Sequence, residues 1–170
     1  MGAQEEARGA PRPLTWPGMA LGGVLSAVAF DDPQPSGDPW HRGIPGNALT
    51  LIIGTGEPFL VGGGTSGPPT GGRALPSLVG GLQTQGAWTR QQGRWSGVHL
   101  ALDPLAARGL LGIPAAELAP GADGHTTVEA DAVLPRGVRA LADRLASAGT
   151  AEQAATLAAW ARARPAPPPR

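Results

Sequence analysis

Three histidines and five tryptophans, with arginines among them, are the residues of this chain whose types could do chemistry. A metal site of the His-x-His kind, completed by a carboxylate and another His, needs a spacing that does not occur here. His41, His99 and Asp103 are the one set that could converge in space. Failing that, His41 ends a strand and His99 hydrogen-bonds on a sheet face. No metal and no cofactor is expected. Ser26, Ser36, Ser66, Ser77, Ser96 and Ser147 include no G-x-S-x-G elbow. Ser96 and His99 lie too close along one strand to form a nucleophile–base pair facing one pocket. Asp31 and Asp32 are adjacent, so on a strand they point in opposite directions and read as a solvated turn rather than a carboxylate pair. The glycines of Gly62–Arg73 lack the Gly-Lys-Ser/Thr and the following helix of a phosphate loop, leaving a surface loop. Catalysis is therefore not expected.

Ligand binding has better material. Trp40 precedes His41 and Arg42, while Trp88 and Trp95 flank a Gln92-Gly93 turn, where they would stack across a hairpin or line the mouth of a pocket. With His99 these residues form a candidate site, Trp40, His41, Arg42, Trp88, Trp95 and His99. Aromatic walls with a few polar groups are what a small apolar ligand requires. The competing reading is plain packing, with each indole N–H satisfied in a core or on a sheet face.

The elements that would position these groups change character along the chain. Val24, Ser26, Val28 and Phe30 share one parity, predicting a first strand that Asp31-Asp32-Pro33 ends. Ala48–Ile53 is the clearest strand, apolar on both faces and so interior. Phe59–Val61, Leu75–Leu82, Ala87–Gln91 and Trp95–Leu102 read as further strands. The period then switches. Asp103 suits an N-cap and Pro104 a first helical position, with Gly112 as a left-handed stop and a second short turn through Leu118. Val138, Leu141, Ala142, Leu145 and Ala148 make one helical stripe, and Thr150 with Gln153 has the capping-box pattern for a last helix to about Arg164. Strands first and helices last predict an α+β fold, a barrel- or sandwich-like β-rich part followed by C-terminal helices. Leu141, Leu145, Leu157 and Trp160 are the large members of two Ala-rich stripes. If one face stays open they form a homodimer surface; if both pack on their own sheet, the chain is a monomer.

Composition sets the outer bounds. With 170 residues, one domain with one real core is expected. Residues 1–18 read as a flexible leader, 19–164 as the domain and 165–170 as a Pro-rich linker remnant. Thirteen basic residues, all Arg, balance thirteen acidic ones, which argues against a stand-alone nucleic-acid binder. No Cys is present, so disulfides and thiolate ligation are excluded. Met19–Phe30 is too short and too Gly-broken for a membrane span and wrongly flanked for a signal peptide, giving a cytoplasmic expectation.

Two segments carry a resemblance. WHRGIPGNALTLII, Trp40–Ile53, and GVHLALDPLAARGLLGIPAAEL, Gly97–Leu118, resemble in their residues and order the N-terminal regulatory domain of AraC-type transcriptional regulators. Arg42-Gly43-Ile44-Pro45 with Leu49-Thr50-Leu51, and Pro104-Leu105 through Leu111-Gly112-Ile113-Pro114, are its strongest parts. The chain departs from the pattern at Phe30-Asp31-Asp32, where relatives often show an aromatic-Arg pair, and between His125 and Leu134. The resemblance implies a β-rich unit followed by helices, a small-molecule effector or dimerisation as its signal, and a DNA-reading helix-turn-helix half that would begin near residue 170. It implies the regulatory half of a regulator, truncated before its DNA-binding half, with no sequence-specific DNA binding by this chain alone. A heterodimer with a full-length regulator is a further expectation. The alternative is a free-standing small-molecule-binding protein with no DNA role.

Overall fold

A computed structural model describes residues 11–33, 40–63, 67–68, 71–91, 93–121, 126–134 and 137–164. The chain runs through β1 (Arg12–Pro13), β2 (Val24–Asp32), β3 (Trp40–Gly43), β4 (Leu49–Gly54) and β5 (Phe59–Gly63). It continues through β6 (Arg73–Leu75), β7 (Ser77–Gly80), β8 (Ala87–Gln91) and β9 (Trp95–Leu102). Beyond these come α1 (Ala107–Leu111), β10 (Thr127–Glu129), α2 (Ala130–Val133), α3 (Val138–Ser147) and α4 (Thr150–Arg162). All pairings among the described residues are antiparallel. They form a six-stranded sheet, β1-β2-β9-β4-β7-β10, and a four-stranded sheet, β3-β8-β5-β6. The fold is α+β, strand-rich first and helical last, as the order of periodicities predicts.

Alternation along the strands builds three layers. Leu49, Leu51 and Ile53 of β4 are fully buried, as are Val98, Leu100 and Leu102 of β9. They share the larger core with Leu110 and Leu111 of α1, Leu141 and Leu145 of α3, and Leu157 and Trp160 of α4. On the opposite face of the same sheet, Phe30 and Ile52 pack with Leu78 against Phe59, Val61 and Leu75 of the four-stranded sheet. The six-stranded sheet thus lies between the helices and the smaller sheet, which is why β4 reads as apolar on both faces. Side chains are excluded where Gly54 of β4 pairs with Gly97 of β9. A Cβ on Gly97 would come within 2.5 Å of the Ile53 carbonyl oxygen and 3.0 Å of the Phe30 ring, and one on Gly54 would strike the Pro76 carbonyl and the Phe59 ring. The missing side chains let Phe30 and Phe59 meet edge to face, ring centroids 6.4 Å apart.

Several expectations change in detail. Arg12–Pro13 pairs with Ala29–Val28 and Leu14 is 2% exposed, so residues 12–14 belong to the sheet and core rather than to a leader. Residues 165–170 lie outside the described residues. The Leu75–Leu82 stretch divides at Pro76, with Leu75 in one sheet and Ser77 in the other. Asp103 does cap, its Oδ1 accepting the Leu105 N–H at 2.9 Å, but it caps a turn that precedes α1. Gly112 ends α1 with φ 80°, as expected of a left-handed stop. The capping box at Thr150 does not form. Gly149 is the N-cap, and the Gln153 amide instead donates to the Leu145 carbonyl at 3.0 Å, joining the end of α3 to the start of α4. Strand β10 and helix α2 have no counterpart among the elements that the sequence predicts. No helix of the described residues is long and apolar enough to cross a membrane.

Candidate ligand site between the sheets

Strand β3 decides where most of the candidate residues go. It pairs with β8 through Trp40 with Arg90, His41 with Thr89, Arg42 with Trp88 and Gly43 with Ala87. Directly opposed residues of an antiparallel pair share a face. Thr89 also opposes Val61, whose side chain is buried between the sheets. His41 and Thr89 therefore face the six-stranded sheet, and Trp40, Arg42, Trp88 and Arg90 face outward. The six candidates do not form one site. They form two.

The inner set is His41, Trp95 and His99. Trp95 and His99 share a parity on β9, directed at the smaller sheet, and the His41 ring meets the Trp95 ring edge on, 6.1 Å between centroids. His99 lies between Val28 of β2 and Ile52 of β4 as cross-strand neighbours, and all three are half-buried. Burial holds the His99 pKa below the ordinary imidazole value of 6.5, and the nearby charge of His41 lowers it further. At neutral pH the ring is uncharged, offering one N–H donor and one acceptor. Among the described residues no side chain or backbone group hydrogen-bonds to either ring nitrogen.

The outer set stacks. The Arg42 guanidinium carbon lies 5.7 Å from the Trp88 ring centroid and that of Arg90 lies 5.9 Å from Trp40. Gly86 leaves room for Arg42, because a Cβ there would approach its Nε to 2.7 Å. Arg90 was not singled out from the sequence, although its place two residues after Trp88 on a strand was the available signal. Trp88 and Trp95 do not stack across a hairpin, since β8 and β9 belong to different sheets.

The remaining candidates settle elsewhere. Asp103 turns back to its own loop instead of joining His41 and His99, and among the described residues no group of three or more His, Asp or Glu could hold a metal ion. His125 lies outside the described residues. Asp31 is held by Arg94 through two bonds of 2.6 Å, which pulls its pKa below the usual carboxylate range. Leu141, Leu145 and Leu157 are fully buried and Trp160 is 8% exposed, all within the protomer's own core. They are not an open face, so any dimer contact must use other residues. Arg164 lies over the Trp160 ring, 4.8 Å from its centroid. A separate cavity of about 190 Å³ opens beside α3, where Glu129, Asp131 and Asp143 gather near Arg139 and Ser77. Its lining comes from distant segments, so no spacing in the sequence announces it.

In comparison with known proteins, no family model, no curated protein and no solved structure matches this chain.

Proposed function

We propose that the chain is the ligand-sensing regulatory domain of a cytoplasmic, AraC-like transcriptional regulator. Its effector would sit between the two sheets against His41, Trp95 and His99. The observation that carries this reading is the half-buried His99 ring, whose nitrogens have no partner among the described protein groups. A ring donor and acceptor without protein partners, flanked by the apolar Val28 and Ile52, are open to hydrogen bonds from a ligand. Trp95 adds an aromatic wall, and the His41 ring meets it edge on from the opposite sheet. A neutral imidazole favours a small, uncharged or weakly polar planar molecule over a strong anion. The two sequence segments that resemble AraC-type regulatory domains support the regulatory part of the reading. They contribute to this region directly, since Trp40–Ile53 contains His41 and Ile52, and Gly97–Leu118 contains His99.

The test is thermal unfolding of the full chain with nicotinamide, benzoate, indole and ribose as separate probes. At least one uncharged planar probe should raise the midpoint in a concentration-dependent way, and His99→Leu should abolish that rise while leaving the fold intact. Stabilisation that survives His99→Leu, or none from any uncharged planar probe, overturns the assignment of this site.

A further inference from the structure

We propose that the outer face of the four-stranded sheet binds single-stranded nucleic acid, without regard to sequence, through Trp40, Arg42, Trp88 and Arg90. The two Trp and two Arg form a checkerboard on adjacent strands, each Arg opposite a Trp. The four strands of this sheet contain no Asp or Glu, although the whole chain is electrically neutral. Positive charge is therefore concentrated here against the average. Among the described residues neither Arg42 nor Arg90 forms an ion pair, and Arg42 is exposed.

The chemistry of the four side chains selects the occupant. Guanidinium groups take phosphates and aromatic rings take bases, and here each guanidinium lies 5.7 or 5.9 Å from an indole centroid, the two groups that a nucleotide requires side by side. An acidic peptide would use the arginines and leave the indoles without a role. A duplex keeps its base faces stacked inside and would gain nothing from the tryptophans. The platform is a sheet face and all bases have a π-face, so binding tolerates any sequence. This proposal does not depend on the inter-sheet ligand site, whose residues point the other way.

The experiment is fluorescence anisotropy of a labelled oligo(dT) octamer titrated with the full chain at low salt. Anisotropy should rise and saturate. The affinity should fall with salt at a log–log slope of about −1.4, from two phosphates at about 0.7 each. The double variant Arg42→Gln/Arg90→Gln should weaken binding tenfold or more and flatten the slope. Trp88→Ala should weaken it at least about fivefold, with Trp88→Phe retaining most of the affinity. Circular dichroism must match the wild type for each variant, and the salt slope of the unaltered chain provides a measure free of folding effects. The proposal is overturned by an absent anisotropy change, by equal affinity for a duplex of the same length, or by polyglutamate competing as well as unlabelled oligo(dT). A slope indifferent to the arginine pair overturns it too.

Discussion

Replacing Leu51 by Ala tests the layered architecture at its centre. Leu51 is fully buried on β4, opposed by Leu100 on one side and Val79 on the other, and faces the helices. The substitution removes three buried carbon groups, a transfer loss of roughly 2.4 kcal/mol at about 0.8 each. Neighbouring strands hold the backbone on both sides and the helices roof the position, so the cavity can collapse only in part. Adding its cost brings the expected destabilisation to about 3–5 kcal/mol. For a chain of this size that corresponds to a lowering of the unfolding midpoint by about 6–20 °C. Urea unfolding followed by tryptophan fluorescence measures it, with an unchanged m-value showing that the folded state keeps its compactness. Leu105→Ala is the control, since Leu105 is 94% exposed and should change stability by less than about 0.5 kcal/mol. A loss below about 1 kcal/mol for Leu51→Ala would refute a central, doubly covered β4.

Four further outcomes follow from particular contacts. His99 has a depressed folded-state pKa, so below about pH 6.5 the unfolded chain binds the additional proton. Stability should therefore fall as pH drops through that value, and His99→Leu should remove this dependence in pH-resolved chemical denaturation. Gly97→Ala should cost about 1–3 kcal/mol in the same assay, because the new methyl meets the Ile53 carbonyl and the Phe30 ring; a neutral effect would mean that β4 and the Phe30 ring do not crowd this position. Gln153→Ala removes a buried bond to the last turn of α3 and should cost about 1–2 kcal/mol, a larger loss than Thr150→Ala, whose side chain makes no capping bond. A gel shift with duplex DNA at about 0.15 M salt should show no sequence-dependent complex.

The sequence made β2, β4, β5, β8, β9 and the main helices legible because hydrophobic periodicity is a local property. Val98, Leu100 and Leu102 announce their buried face in five residues, and Gly112 announces its own left-handed turn. What stayed hidden depends on partners distant in the chain. Arg12–Pro13 carries no strand signal and is extended because β2 offers an edge to it. Thr150 and Gln153 have capping-box spacing, but the Gln153 amide finds the Leu145 carbonyl first, an acceptor that exists only once the two helices have folded together. The candidate ligand residues were visible as a set of types. Their division into two faces was not, because it rests on the pairing of β3 with β8 and on the sheet to which each strand belongs.

That division has a mechanical corollary. Strand β3 is attached to its sheet by four cross-strand pairs, from Trp40 with Arg90 to Gly43 with Ala87. Alternation ties every side chain on it to that one alignment. A slip of a single residue would turn the imidazole of His41 away from Trp95 and drive an indole and a guanidinium toward the six-stranded sheet. The aromatic contact with Trp95 and the outward checkerboard would vanish in the same movement. Two chemically unlike surfaces are thus written on opposite sides of one short ribbon, and neither can be retuned by realignment without erasing the other.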